Sequence, residues 1–238
     1  MALQYDITGK TPQELGQELA NHVAKGEDAI FIDYVKMLVD AGATLEERDA
    51  WGNTPLLSAT LHGYPDVAAF LIDAGADYNA ANKRGDTVLH ITLRKPGFEQ
   101  SYDDYLPIAD IVLQKPDANV NALNDKKQSP LSVAAKEHLY EYTQTLVDKG
   151  ANLDNIDAEG KSPLQHAQAG SSGATTAQVI ETALAERDVR CRLEAQQRAV
   201  DDLRQEVSAI VGIVGKGSGQ QHAAPATARF KARKIESI

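Results

Sequence analysis

The sequence predicts an all-α solenoid, made of helix–turn–helix units with short β-hairpin turns and followed by a long C-terminal helix. Three observations carry this expectation. A turn-and-cap signature recurs at a near-constant period, apolar residues at helical spacing follow each copy, and the forty residues 175–214 contain no proline. Aromatic residues are only 5% of the chain, poor material for one large core but suited to many small, similar layers.

The signature Asp49-x-x-Gly52-x-Thr54-Pro55-Leu56 returns as Asn82-x-x-Gly85-x-Thr87-Val88-Leu89. It returns again as Asn124-x-x-Lys127-x-Ser129-Pro130-Leu131 and as Asp157-x-x-Gly160-x-Ser162-Pro163-Leu164. The steps are 33, 42 and 33 residues, so the middle step is one repeat plus nine residues. Asp or Asn with a nearby glycine makes a tight turn, because glycine tolerates positive φ. Thr or Ser then caps a helix, and proline fits its first position, where a missing N–H costs nothing. Alanines 59, 134 and 167 allow close helix approach. Second helices are expected over 67–73, 106–114 and 142–148, most of them ending at a glycine such as Gly42, Gly75 or Gly150. Lys127 stands where the other turns have glycine, which predicts a distorted turn. Residues 1–48 read as a capping, atypical first repeat, with a Thr11-Pro12 helix start and a lengthened middle from Gly26 to Asp33.

Turn, Thr-Pro-Leu helix start, second helix and Gly75-Ala-Asp-x-Asn79 at a 33-residue period resemble the ankyrin repeat. The resemblance covers residues 10–187, with the main repeats over 49–174 and the last unit running on to about 187. It implies a protein-interaction module: an adaptor, inhibitor or regulatory scaffold with no catalytic role and no cofactor. It also implies that His90 bonds between repeats, and that turn tips and first-helix ends meet a partner along a concave face. In this sequence those positions are Trp51, Asn53, Leu61 and His62; then Lys83, Arg84, Asp86 and Arg94; then Lys126, Lys136 and Glu137. Trp51, the sole tryptophan, reads either as an interface anchor or as packing against the N-terminal segment. The insertion near 94–105 is the second candidate, because it gathers Phe98, Tyr102 and Tyr105 on a long atypical loop.

Beyond the repeats, 175–214 reads as one amphipathic helix. Leu193, Val200, Val207 and Val214 share one heptad position, and Val189, Leu203 and Ile210 share another, with Gln196 the polar exception. This stripe either folds back to cap the solenoid or joins two chains, and the self-association reading rests on Leu193, Val200, Leu203, Val207 and Ile210. The alternative function is therefore an oligomeric structural protein, a homodimer through 186–214. Residues 215–238 read as a disordered basic tail, carrying five lysines and arginines against Glu236.

Composition narrows the classes further. The net charge is −10, and the basic tail hides a body of −14, which argues against nucleic acid as the partner. The only cysteine, Cys191, fits a reducing, cytoplasmic setting, including a host cell if the protein is delivered there. The N-terminus shows no secretory pattern, and no apolar run is long enough to span a membrane. The six histidines lack metal-ligand spacing, and no nucleophile–base pattern or phosphate loop is legible.

Overall fold

The computed structural model describes residues 7–25, 31–94, 102–169 and 173–216, with the side chains of 31 and 211–216 left aside. Among these residues the chain is helical, with no strand. The helices come in pairs: α1 Pro12–Lys25 with α2 Phe31–Asp40, α3 Pro55–Leu61 with α4 Pro65–Asp73, and α5 Val88–Thr92 with α6 Tyr102–Gln114. The chain continues with α7 Pro130–Lys136 and α8 Tyr140–Asp148, then α9 Pro163–Gln168 and α10 Ala174–Lys216. First helices stack on first helices (α1 on α3, α3 on α5, α5 on α7, α7 on α9), and α2, α4 and α6 form a second layer. The chain divides into a unit ending at Ala185 and a unit starting at Glu186.

Each step of the stack contributes the same thing. Leu19, Leu38, Leu56, Leu71, Leu89, Ile108, Leu131 and Leu146, one from each helix α1 to α8, are buried to 2% exposure or less. Burial of such a side chain is worth roughly 1.5–3 kcal/mol, so the core is a row of equal layers rather than one centre. Ala59, Ala134 and Ala167 are wholly buried, which lets neighbouring first helices approach closely. The last layer is thinner. Ala135, Ala167, Ala177 and Ile180 form a separate cluster, with Leu164 and Leu184 packed against it.

The helix starts follow the capping signals. Thr54 Oγ1 accepts from the Leu57 amide at 3.3 Å, and Ser129 Oγ accepts from Ser132 at 3.2 Å. Ser162 and Gln165 close a reciprocal capping box, as do Thr11 and Glu14 at the head of α1. Second helices begin earlier than the sequence suggested, at Pro65, Tyr102 and Tyr140. Tyr102 and Tyr105 thus belong to a helix rather than to a loop, and Pro107 sits inside α6.

The expected distortion at Lys127 is absent. Lys127 takes φ 55, beside 78, 72 and 76 at Gly52, Gly85 and Gly160. Its amide donates to Asn124 O at 2.7 Å, as the amide of Gly85 does to Asn82 O at 2.9 Å. The hydrogen bonds of the turn hold a lysine in a backbone conformation that glycine would adopt at less cost.

Candidate protein-binding groove

The turns are built alike, and that sets which residues reach solvent. Asp49 Oδ1 accepts from the amides of Trp51 and Asn53, both at 2.8 Å. Asn82 Oδ1 accepts from Arg84 at 2.9 Å and Asp86 at 3.1 Å, and Asn124 Oδ1 from Lys126 and Gln128 at 3.0 Å each. Asp157 repeats the pattern with Glu159 and Lys161. The first side chain of every turn is consumed inside it, and the next two residues are pushed outward. One backbone bond then ties each tip to the next: Lys83 N to Trp51 O, Asp125 N to Arg84 O, and Ala158 N to Lys126 O, at 3.1, 2.8 and 2.8 Å.

Between the first two of these turns lies an open groove of about 410 Å³. Trp51, Leu61, His62, Lys83, Arg84 and Arg94 line it, and Ala24 of α1 closes one side. Trp51 is 67% exposed, so it does not pack away against the N-terminal helices. Leu61 is 38% exposed, and the His62 ring stacks on Tyr64 with centroids 5.8 Å apart.

Not every position singled out in the sequence offers a side chain to a partner. Asn53 and Asp86 line the groove but are 5% and 4% exposed. Asn53 bonds to Asp49 and Asn82, while Asp86 accepts two bonds from Arg94, at 2.9 and 3.2 Å, and one from Asn124 at 3.0 Å. Burial alone would raise the Asp86 carboxyl, but the hydrogen bonds from Arg94 and Asn124 outweigh it and hold the carboxyl below its ordinary range. Asp86 therefore positions Arg94 at the groove wall. Lys126, Lys136 and Glu137 belong to the next turn and the end of α7, outside the groove lining.

The insertion divides in the same way. Phe98 lies outside the described residues. Tyr105 is buried to 4% exposure, and its hydroxyl donates to Leu61 O at 3.0 Å, so it braces the groove from behind rather than presenting an anchor. Tyr102 is half-buried; burial and the charge of Glu137 push its hydroxyl up to about 12. Sequence reasoning missed Arg48, whose guanidinium donates to Gly52 O and Ala81 O at 2.9 and 2.6 Å and so links two repeats beside the groove. Its position directly before Asp49 gave no pattern to find it by.

His90 does join repeats. Its Nε2 lies 2.9 Å from Gln128 O in the next unit, and its Nδ1 accepts from the Thr87 amide at 3.3 Å. A carbonyl can only accept, so the proton sits on Nε2 and the ring is neutral. Burial pushes its pKa down. At the equivalent height of the last unit the histidine is displaced by one residue. His166 Nε2 meets Asp157 Oδ2 at 2.7 Å within its own repeat. Among the described residues no cluster of three or more His, Cys, Asp or Glu is placed to hold a metal.

Comparison with known proteins agrees with this architecture. A family profile described as ankyrin repeats in three copies matches residues 21–115. The chain is 29% identical over 185 residues to the ankyrin repeat and KH domain-containing protein mask-1 of Caenorhabditis elegans, which is 76% of this chain and 7% of that protein. It is 28% identical over 170 residues to human B-cell lymphoma 3 protein, covering 70% of this chain and 35% of the relative. A shorter match, 51% over 55 residues, is to protein phosphatase 1 regulatory subunit 27 of Mus musculus, 23% of this chain and 36% of that one. The chain thus spans little more than a third of these relatives at most. No helix among the described residues is long and apolar enough to cross a membrane. The 33-residue period, the paired helices, the bonded turns and the family match over residues 21–115 together show that the chain carries ankyrin repeats.

Proposed function

We propose that this protein works by holding a partner protein along its turn tips and first-helix ends, with the groove beside Trp51 as the anchor site. The ankyrin repeats, and a relative whose name makes it a regulatory subunit, support an interaction module. The observation that carries the reading is Trp51: a large aromatic ring, two-thirds exposed, fixed on a hydrogen-bonded turn and bordering an open groove. An indole held in that way offers contact area at little entropic cost, and truncating such an anchor typically costs about 2 kcal/mol or more. The test compares Trp51→Ala and Arg84→Ala with Phe98→Ala and Tyr102→Ala against whichever partner the intact protein recovers, after each variant is shown to fold. Loss of roughly tenfold or more (about 1.4 kcal/mol) in the first pair supports the groove. That loss in the second pair alone moves the site to the insertion.

A second reading has its own observation. Val189, Leu193, Val200, Leu203, Val207 and Ile210 of α10 are all 43–65% exposed and fall on the two seam positions of a heptad. Such a stripe is what a second copy of the helix would cover, giving a homodimer through 186–214. Replacing Val200, Leu203 and Val207 by aspartate should then halve the mass measured by sedimentation equilibrium. A dimer of unchanged mass in that variant sinks the reading.

A further inference from the structure

The protein is acidic overall, but from α3 to α9 the fold sorts the charges of its helices by layer. Asp66 and Asp73 lie on α4, Asp103, Asp104 and Asp110 on α6, and Glu141 and Asp148 on α8; none of these helices carries a lysine or arginine. The first helices α3, α5, α7 and α9 contain no carboxylate at all. The exposed charged side chains at the second and third turns are Lys83, Arg84, Lys126 and Lys127 against Asp125, while Lys136, exposed at the end of α7, feels the carboxylate of Glu159 in the fourth turn. Two acids on this side are withdrawn: Asp86 is buried beneath Arg94, and Asp49 is bonded to its own turn. Arg84 contacts no carboxylate among the described residues, while Lys83 reaches only Ala50 O, at 2.9 Å. A basic strip therefore begins at the apolar corner of Trp51 and Leu61 and runs across successive tips, at the register the backbone bonds impose.

We propose that the partner segment held here is an acidic, extended peptide. One large apolar residue would sit against Trp51 and Leu61, and carboxylates would follow along Arg84, Lys83 and Lys126. This rests on the groove reading given above and adds the chemistry of the occupant. Charge complementarity selects the peptide: arginine and lysine at the tips pair with carboxylates, and the carboxylate-rich second helices repel an acidic segment that tries to dock on the wrong face. A nucleic acid brings one phosphate per nucleotide into the field of a protein of charge −10, and the groove lining offers only the Trp51 indole and the His62 ring, already stacked on Tyr64, for bases to stack on. A short peptide brings only a few carboxylates and an apolar group that the groove can cover.

The experiment selects phage-displayed random 16-residue peptides on the full chain and measures the synthetic consensus by fluorescence anisotropy. The expected consensus has aspartate or glutamate flanking one aromatic or large aliphatic residue. Its affinity should fall at least tenfold with Arg84→Glu plus Lys126→Glu, fall similarly with Trp51→Ala, and weaken several-fold between 50 and 300 mM NaCl. All three changes are at exposed tips, and thermal midpoints check that the variants fold. Peptides that need Trp51 but carry no acidic enrichment overturn the acidic-partner inference and leave the groove standing. Peptides indifferent to Trp51 and to both charge reversals overturn the groove itself. Tighter binding of a 15-nucleotide oligouridylate, lost on the same charge reversals, assigns the strip to phosphate and overturns the inference. Concentration-dependent self-association lost on those reversals assigns it to a second copy, with the same consequence.

Discussion

Helix α10 is one continuous helix with two kinds of support. Over 174–185 it buries Ala177 and Ile180 against Ala135 and Ala167, with Ile180 wholly inaccessible. Over 186–210 its side chains are exposed, with only Arg187 partly covered, and its apolar residues stand 43–65% open. What remains there is local. Arg198 lies 4.0 Å from Glu194, Arg204 lies 3.6 Å from Asp201, and Gln197 bonds to Asp201 at 3.0 Å. Exposed pairs of this kind are worth only about 0.2–0.5 kcal/mol each. The same secondary structure is held by packing in one stretch, and by propensity plus small pairwise terms in the other. A stretch of the second kind that also carries a heptad stripe looks unfinished until something covers it.

The largest expected effect breaks that comparison directly. Ile180→Ala empties a buried site and should cost about 2–5 kcal/mol, lowering the denaturant midpoint of the repeats. Leu193→Ala removes a similar side chain that is 65% exposed, and should change the monomer's stability by no more than about 0.5 kcal/mol. The pair is measured by urea unfolding at a concentration where sedimentation shows monomer. A cost at Leu193 equal to that at Ile180 would mean that the far stretch is covered after all.

A smaller effect separates the regions by pH. His90 is buried and neutral, and its folded pKa lies below the unfolded one, near 6.5. Its contribution is therefore fully present above about pH 6.5, and is lost as pH falls from there toward the lower folded value. Asp86 and Asp157 have lowered pKa values, so their contributions persist above about pH 4 and fade below it. For Asp157 burial opposes the lowering, and the bonds from Lys161, His166 and Glu159 overcome it. All three groups lie in the repeats. The repeats should soften between pH 7 and 5, while helicity attributable to 186–210 stays level. His90→Ala removes a buried ring together with its bonds to the Thr87 amide and to Gln128 O, which keeps its bond from the Asn124 amide; it should cost about 1–3 kcal/mol at pH 7.5 and remove most of the acid slope. Circular dichroism melts at stepped pH measure both, and an unchanged slope in the variant would show that another group sets it.

Much of this was legible because each repeat states its own local chemistry. Asx residue, cap and proline fix where α3, α7 and α9 begin, and the 33-residue spacing fixes how they stack. The candidate site was legible as far as position: Trp51, Leu61, His62, Lys83, Arg84 and Arg94 do converge. The roles of Asn53, Asp86 and Tyr105 were not, because whether a polar or aromatic residue faces outward depends on neighbours 29 to 44 residues away. Asn82, Asn124 and Leu61 O supply those partners. The charge sorting was also hidden. Net charge sums over the layers that the fold separates.

The smallest effect turns on glycine and should change sign between the two regions. Lys127 keeps φ 55 because Asn124 Oδ1 takes the amides of Lys126 and Gln128, Asn124 N donates to Gln128 O, and Asn155 Nδ2 donates to Lys127 O at 2.8 Å. These bonds over-determine the turn, and the left-handed strain of roughly 1–2 kcal/mol is tolerated rather than relieved. Lys127→Gly removes that strain but gives back about 0.5–1 kcal/mol in chain entropy, so a net gain of about 0.5–1 kcal/mol is expected. The converse change at Gly85 is harsher than at an open turn, since a Cβ there would lie 2.8 Å from Asn124 Cα. On the exposed stretch of α10 the same residue should do harm. Ala195→Gly meets no packing to compensate it and should cost about 1 kcal/mol of local helix stability. Urea unfolding reads the first change, and amide exchange across 186–210 reads the second. If Lys127→Gly destabilises the protein, the lysine side chain is making a contact worth more than the strain.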